Sequence, residues 1–199
     1  MSQKSSELKA QGVDIINLSV GEPDFFTPDH IKAAAKKAID ENFSFYSPVP
    51  GYMDLRKAIV DKLKNENGLD YTVDQIIVSN GAKQSVCNTL LSIINPGDEV
   101  IVPAPYWVSY VEMVKLAEGT NVIIPAGIDQ NFKITAAQLE AAITPRTRAL
   151  MLCSPSNPTG SVYSREELQS LAGVLVKHPN IIVLSDEIYE HINYVGKHA

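Results

Sequence analysis

Five short apolar runs, four of them rich in valine and isoleucine, at residues 75–79, 100–102, 121–124, 148–153 and 181–184, recur along the chain with amphipathic stretches between them. Within each run the apolar residues are successive, as a strand covered on both faces requires. Strand, helix, strand at this spacing points to an α/β sheet with right-handed crossovers. Ligands of such a sheet collect at the carboxyl ends of the strands. A chain of 199 residues is long enough to bury the core this arrangement needs.

The stretches between the runs carry helix punctuation. Residues 83–94 run into Asn95-Pro96-Gly97-Asp98, a turn that stops a helix before the next strand. Thr135 with Gln138, and Ser164 with Glu167, have the capping-box spacing that satisfies free amides at a helix start. Thr27 reads as an N-cap followed by Pro28 at the first helical position, opening a helix through about Asp40. A further helix over 52–67 places Leu55, Ile59 and Leu63 on one face and ends at Gly68. Up to about Asp70 there is no regular strand alternation, so this part reads as an arm or a portion of a smaller domain.

Charge and composition exclude several roles. The net charge is −6, and the 17 Lys and Arg residues are scattered, so no nucleic-acid surface is expected. Residues 1–11 are polar and charged, unlike a signal peptide or membrane anchor. No apolar run approaches the ~20 residues that span a bilayer, so no membrane partner is expected. Cys87 and Cys153 sit among apolar neighbours with neither a disulfide framework nor metal spacing. A reducing compartment, and by default the cytoplasm, is the expectation.

Candidate chemistry clusters at the strand ends. Gly81-Ala82-Lys83 follows a strand and opens a helix, so its amides and the positive helix end can hold a phosphate, although such turns also serve plain packing. Trp107, the only tryptophan, follows Pro103-Ala104-Pro105 and can present a flat face to a planar cofactor; a core or surface plug is the ordinary alternative. Ser154-Pro155-Ser156-Asn157-Pro158-Thr159-Gly160 is either an ordinary turn or a rigid loop aiming the Asn157 amide at a ligand oxygen. Asp186 directly follows an apolar run, where a carboxylate is costly unless paired, and a cationic ring nitrogen is a natural partner. Tyr189 lies one helical turn later in the same segment. Helical spacing also places Glu187, Glu190 and His191 on one face, but nothing supplies the second ligand cluster of typical zinc sites, and no metal is expected.

Seven motifs, read in order, resemble the class I/II aminotransferases, and most of all the bacterial aspartate aminotransferases. They are Leu18-Ser19-Val20-Gly21-Glu22-Pro23-Asp24-Phe25; Tyr46-Ser47-Pro48 through Gly51 with Leu55-Arg56; Asn80-Gly81-Ala82-Lys83-Gln84; Pro96-Gly97-Asp98-Glu99-Val100; Pro105-Tyr106-Trp107; Ser156-Asn157-Pro158-Thr159-Gly160; and Ser185-Asp186-Glu187-Ile188-Tyr189. The resemblance implies the fold type I, PLP-dependent transferase-like large domain with a mostly parallel sheet. It divides the chain into residues 1–45, an arm with part of a small domain, and 46–199, an incomplete cofactor-binding large domain.

The same resemblance implies pyridoxal 5'-phosphate as cofactor, and amino-acid and 2-oxo-acid substrates. Gly81, Ala82 and Lys83 would hold the phosphate, Trp107 would stack on the pyridine ring, and Asp186 would pair with its protonated nitrogen. Asn157 and Tyr189 would bind the cofactor's phenolic oxygen. Gly21, Trp107 and Asn157 would touch substrate, and Lys83 would recognise an acidic side chain. Tyr46 would reach the phosphate of a neighbouring subunit, which implies a homodimer. Family members carry the Schiff-base lysine in a later Ser-Lys segment that Lys197 does not match, and two later strands that insert between residues 75–79 and the strand ending at Cys153. The expectation is an amino-terminal piece without a catalytic residue of its own, inactive alone, from an enzyme moving the amino group between L-aspartate and 2-oxoglutarate. A prephenate or aromatic aminotransferase, a lyase on the same scaffold, and a non-catalytic binding module are the alternatives.

Overall fold

Four of the five apolar runs form strands, and all four join one parallel sheet. The computed structural model describes residues 2–16 and 21–196. Leu18, Ser19 and Val20 of the first family motif, and Lys197, lie outside the described residues. The chain divides into two compact units, Met1–Pro48 and Val49–Ala199.

The first unit holds α1 (Ser2–Ala10) and α2 (Asp29–Asp40). The helical N-terminus α1 is not signalled by any apolar face in the sequence. The cap of α2 is Pro28 rather than Thr27, and no side chain caps it. The extended φ, ψ of Pro28, −55° and 145°, puts it just outside the helix, which shifts the expected start by one residue. No described residue of this unit is buried.

The second unit begins with α3 (Met53–Asn67), closed by Gly68 in the left-handed conformation at φ 68°. There follow α4 (Ala82–Ile93), β1 (Glu99–Ala104), α5 (Ser109–Leu116), β2 (Thr120–Pro125), α6 (Ala136–Ala142), β3 (Thr147–Cys153), α7 (Arg165–Leu175) and β4 (Ile182–Asp186). The sheet order is β2-β1-β3-β4. Successive strand residues face opposite sides. Val100, Val102, Ala149 and Met151 pack with Val86 and Leu90 of α4 and with Tyr110, Met113 and Val114 of α5. Ile101, Leu150 and Leu152 pack with Leu139 of α6 and with Leu171 and Val174 of α7. The strands are therefore apolar at consecutive positions because helices cover both faces. Both expected capping boxes form, Thr135 with Gln138 on α6 and Ser164 with Glu167 on α7.

Two further expectations are corrected. Residues 75–79 are not a strand: Val73–Gln75 is a short 3-10 helix, and 76–79 run on without a ladder. A strand exists only through its partner, and here the backbone is held by residues 50–56 instead. The Val78 amide donates to the Pro50 carbonyl at 3.0 Å, and the buried Arg56 guanidinium donates to the carbonyls of Val73 and Ile76. The second correction concerns the open side of the sheet. β3 is paired on both sides, by β1 and β4, so it cannot border a gap. Among the described residues the unpaired edge on that side belongs to β4.

Candidate active site

The carboxyl ends of β1, β3 and β4 lie side by side, because parallel pairing brings Cys153 level with Asp186. Asp186 is the last residue of β4 and is half-buried. Its Oδ2 accepts a hydrogen bond of 2.6 Å from the Tyr110 hydroxyl, and its Oδ1 accepts one of 3.2 Å from the Ile188 amide. Tyr110 sits in the first turn of α5, three residues after Trp107, and meets that indole edge to face with ring centroids 5.5 Å apart. Above the indole, the Lys83 ammonium lies 4.9 Å from the ring centroid, a cation–π contact. Lys83, Trp107, Tyr110 and Asp186 thus form one connected line.

A second group adjoins it. The Asn157 amide nitrogen donates to the Tyr189 hydroxyl at 3.4 Å. Cys153 lies between the two groups: its thiol donates to the Pro155 carbonyl at 3.4 Å, and the Asn157 backbone, Tyr110 and Asp186 all influence its ionisation. Burial raises the Cys153 thiol above its ordinary value, so it stays protonated. Burial, and then the bond to Asp186, raise the Tyr110 phenol far above its usual range. Tyr110 is therefore a permanent donor to the carboxylate.

The phosphate turn stands at the start of α4. Gly81, at φ 82° and ψ 161°, is the residue before the helix, in a region open essentially only to glycine. The first-turn amides of Ala82 and Lys83 have no carbonyl one turn back to bond, and they point out of the helix start. A groove of about 630 Å³ runs along α4 and α5 with Lys83 on its rim, but Asp186, Asn157 and Tyr189 do not line it.

The structure therefore brings Lys83, Trp107 and Asp186 into one connected line and pairs Asn157 with Tyr189. Gly21 and Tyr46 belong to the first unit and are exposed there. Tyr189 is not one helical turn beyond Asp186, since β4 leads into a turn over 188–191. Glu190, a member of the three-residue metal face considered above, is engaged by Lys62 and Asn67 instead. Tyr110 was missed, and its spacing of three from Trp107 on a helix start is the signal that could have found it.

The donor set fits pyridoxal phosphate. A helix start with free amides suits the phosphate, a carboxylate fixed by two donors suits a protonated ring nitrogen, and an Asn–Tyr pair suits a phenolate oxygen.

The family model described as aminotransferase class I and II matches residues 13–199. The chain belongs to the class I and II aminotransferases. An aspartate/prephenate aminotransferase of Cereibacter sphaeroides is 54% identical over 192 residues, covering 96% of this chain and 48% of that protein. A bifunctional aspartate aminotransferase and glutamate/aspartate-prephenate aminotransferase of Petunia hybrida is 52% identical, covering 98% of this chain and 40% of its own length. Among solved structures, the aspartate aminotransferase of Rhizobium meliloti superposes with a TM-score of 0.95 at 45% identity, covering all of this chain and 50% of that one. The Thermus thermophilus aspartate aminotransferase with maleate gives 0.95 at 46% identity, over 99% of this chain and 51% of that one. This aminotransferase chain spans about half the length of the curated relatives it matches. Its parallel sheet and the helices packed on that sheet are those of the family's large domain. Among the described residues, no helix is long and apolar enough to cross a membrane.

Proposed function

We propose that the protein carrying this chain is a pyridoxal-phosphate-dependent aminotransferase that exchanges an amino group between L-aspartate and 2-oxoglutarate. The observation that carries the reading is the 2.6 Å bond from Tyr110 to Asp186 at the end of β4, beside the Asn157–Tyr189 pair. When bound, the cofactor supplies an electron-withdrawing ring that makes the substrate α-proton labile. Asp186 would pair with the protonated ring nitrogen. Tyr110 and the Ile188 amide fix the plane of that carboxylate. The amides of Ala82 and Lys83, with Gly81 opening the approach, bind the phosphate, and Trp107 covers one ring face. Asn157 and Tyr189 donate to the phenolic oxygen.

Lys83 gives the acidic preference: its ammonium rests over Trp107 without a carboxylate partner among the described residues, available to a substrate side chain. Gly21 offers its backbone to the substrate carboxylate, and Tyr46 reaches the phosphate of a second subunit, so the working form is a homodimer. Residues 1–45 act as an arm with part of a small domain, 46–199 as part of the large domain, and the protein works in the cytoplasm. The names of several relatives pair aspartate with prephenate, which favours prephenate as a second amino acceptor. Assays of the natural-length protein with aspartate as donor, and 2-oxoglutarate, prephenate or phenylpyruvate as acceptor, test both readings. Turnover of aspartate with 2-oxoglutarate is the expected result. Its absence overturns the first reading, and equal rates with prephenate and phenylpyruvate overturn the second.

A further inference from the structure

The Tyr189 phenol belongs to the site, yet no helix or strand holds it. After Asp186 the chain leaves the sheet and makes a turn, closed by the Glu190 amide on the Glu187 carbonyl at 2.9 Å and the Ile192 amide on the Tyr189 carbonyl at 2.8 Å. Among the described residues the Tyr189 hydroxyl has one hydrogen-bond partner, the Asn157 side-chain amide at 3.4 Å. A contact that long does not fix a phenol. The residue beside it is fixed more strongly. Glu190 places one carboxylate oxygen on the Lys62 ammonium and the other on the Asn67 side-chain amide, and Lys62 also donates to the Asn67 oxygen at 2.8 Å. These three side chains close a triangle between the last turns of α3 and the turn that carries Tyr189. The Glu190 side chain is 17% exposed and that of Lys62 is 33% exposed, so water screens the pair less than at an open surface.

Helix α3 is anchored at its other end as well. Arg56, in its first turn, is buried and takes the carbonyls of Val73 and Ile76, in the segment that leads to Gly81. One helix therefore holds both the approach to the phosphate turn and the turn bearing Tyr189. The Asn193 side chain adds a 2.9 Å bond to the Glu190 carbonyl, which stiffens the same turn from within.

We propose that the Lys62–Asn67–Glu190 triangle is a positioning device: it anchors the 188–191 turn to α3 and so sets the Tyr189 phenol against Asn157 in the cofactor site. The inference rests on reading Tyr189 as a cofactor-facing residue. Glu190 touches neither cofactor nor substrate in this scheme and acts only through its neighbour.

The test uses the natural-length protein with 3-fluorotyrosine at position 189. Glu190→Gln and Lys62→Met are each expected to shift or broaden the fluorine resonance, and to speed amide exchange at Glu190 and Ile192 about 10-fold while α7 amides are unchanged. Lys62→Arg, which keeps the charge, is expected to restore both signals. With pyridoxal phosphate added, Glu190→Gln is expected to weaken cofactor retention about 10-fold in the parent, and not at all when Tyr189 is already phenylalanine. An unchanged fluorine signal and unchanged exchange overturn the proposal. So does a loss of retention that is equally large without the Tyr189 hydroxyl, since that marks a tie serving stability alone. A protein that binds no pyridoxal phosphate overturns the reading of the site, while the fluorine and exchange results still judge the anchoring of Tyr189.

Discussion

At the residue scale, Tyr110 decides how Asp186 behaves. It is 2% exposed, its ring packs against Trp107, and its hydroxyl has the carboxylate as partner. Tyr110→Phe keeps the ring and the packing but leaves one carboxylate oxygen without its donor. Hydrogen bonds to charged groups contribute about 1.5–3 kcal/mol, so urea denaturation should show a loss in that range with an unchanged slope. Cofactor affinity should fall in the same variant, because a carboxylate held by the Ile188 amide alone can rotate away from the ring nitrogen. An unaltered midpoint would mean that water replaces the phenol at no cost. Asp186 was legible in the sequence because an acidic residue ending an apolar run demands a partner. Tyr110 was not, because its bond spans 76 positions and an aromatic residue inside a helix reads as core.

The elements divide by how local their cause is. The boxes Thr135–Gln138 and Ser164–Glu167 were legible because each is complete within four residues. Residues 75–79 have the composition of a strand, but a ladder depends on a neighbouring strand, and the local pattern cannot say which one is present. The turn before α4 combines both kinds of cause. Gly81→Ala puts a Cβ on a residue at φ 82°, and that Cβ meets no atom within 4 Å, so the cost comes from the backbone alone. Residues held in such regions cost about 1–3 kcal/mol, and relaxation of the turn to avoid this would rotate the Ala82 and Lys83 amides. The variant should lose both stability and affinity for inorganic phosphate or cofactor. Ser164→Ala provides the contrast: removing the cap of α7 should cost about 1 kcal/mol in thermal or urea unfolding and leave cofactor affinity as it was.

Across the whole molecule, distant contacts set the response to pH and to concentration. The Lys62 ammonium, opposed by burial and helped by Asn67, holds the Glu190 carboxyl below its ordinary value. A depressed folded value means stability that is fully present above the unfolded carboxyl value of about 4.3, and lost as pH falls through the folded value. The stability gap between the parent and Lys62→Met should therefore close below about pH 4. The sheet gives the last expectation. β4 pairs with β3 from Ile182 to Asp186, and among the described residues no strand covers its other edge. Ile77 in the unpaired 76–79 segment is 72% exposed, and Val183 on β4 is 42% exposed. Open edges bearing apolar residues template further pairing. A polypeptide of residues 1–199 expressed by itself should associate, its sedimentation coefficient rising with concentration. Val183→Lys places a charge on the edge strand and should shift the population toward monomer. The same change at Val176, 76% exposed at the end of α7, adds equal charge away from the edge and should not. If both lysines act alike, general surface charge governs association and the edge does not. A monomer at every concentration with a cooperative melt would show instead that α3 and residues 76–79 already shield that side of the sheet.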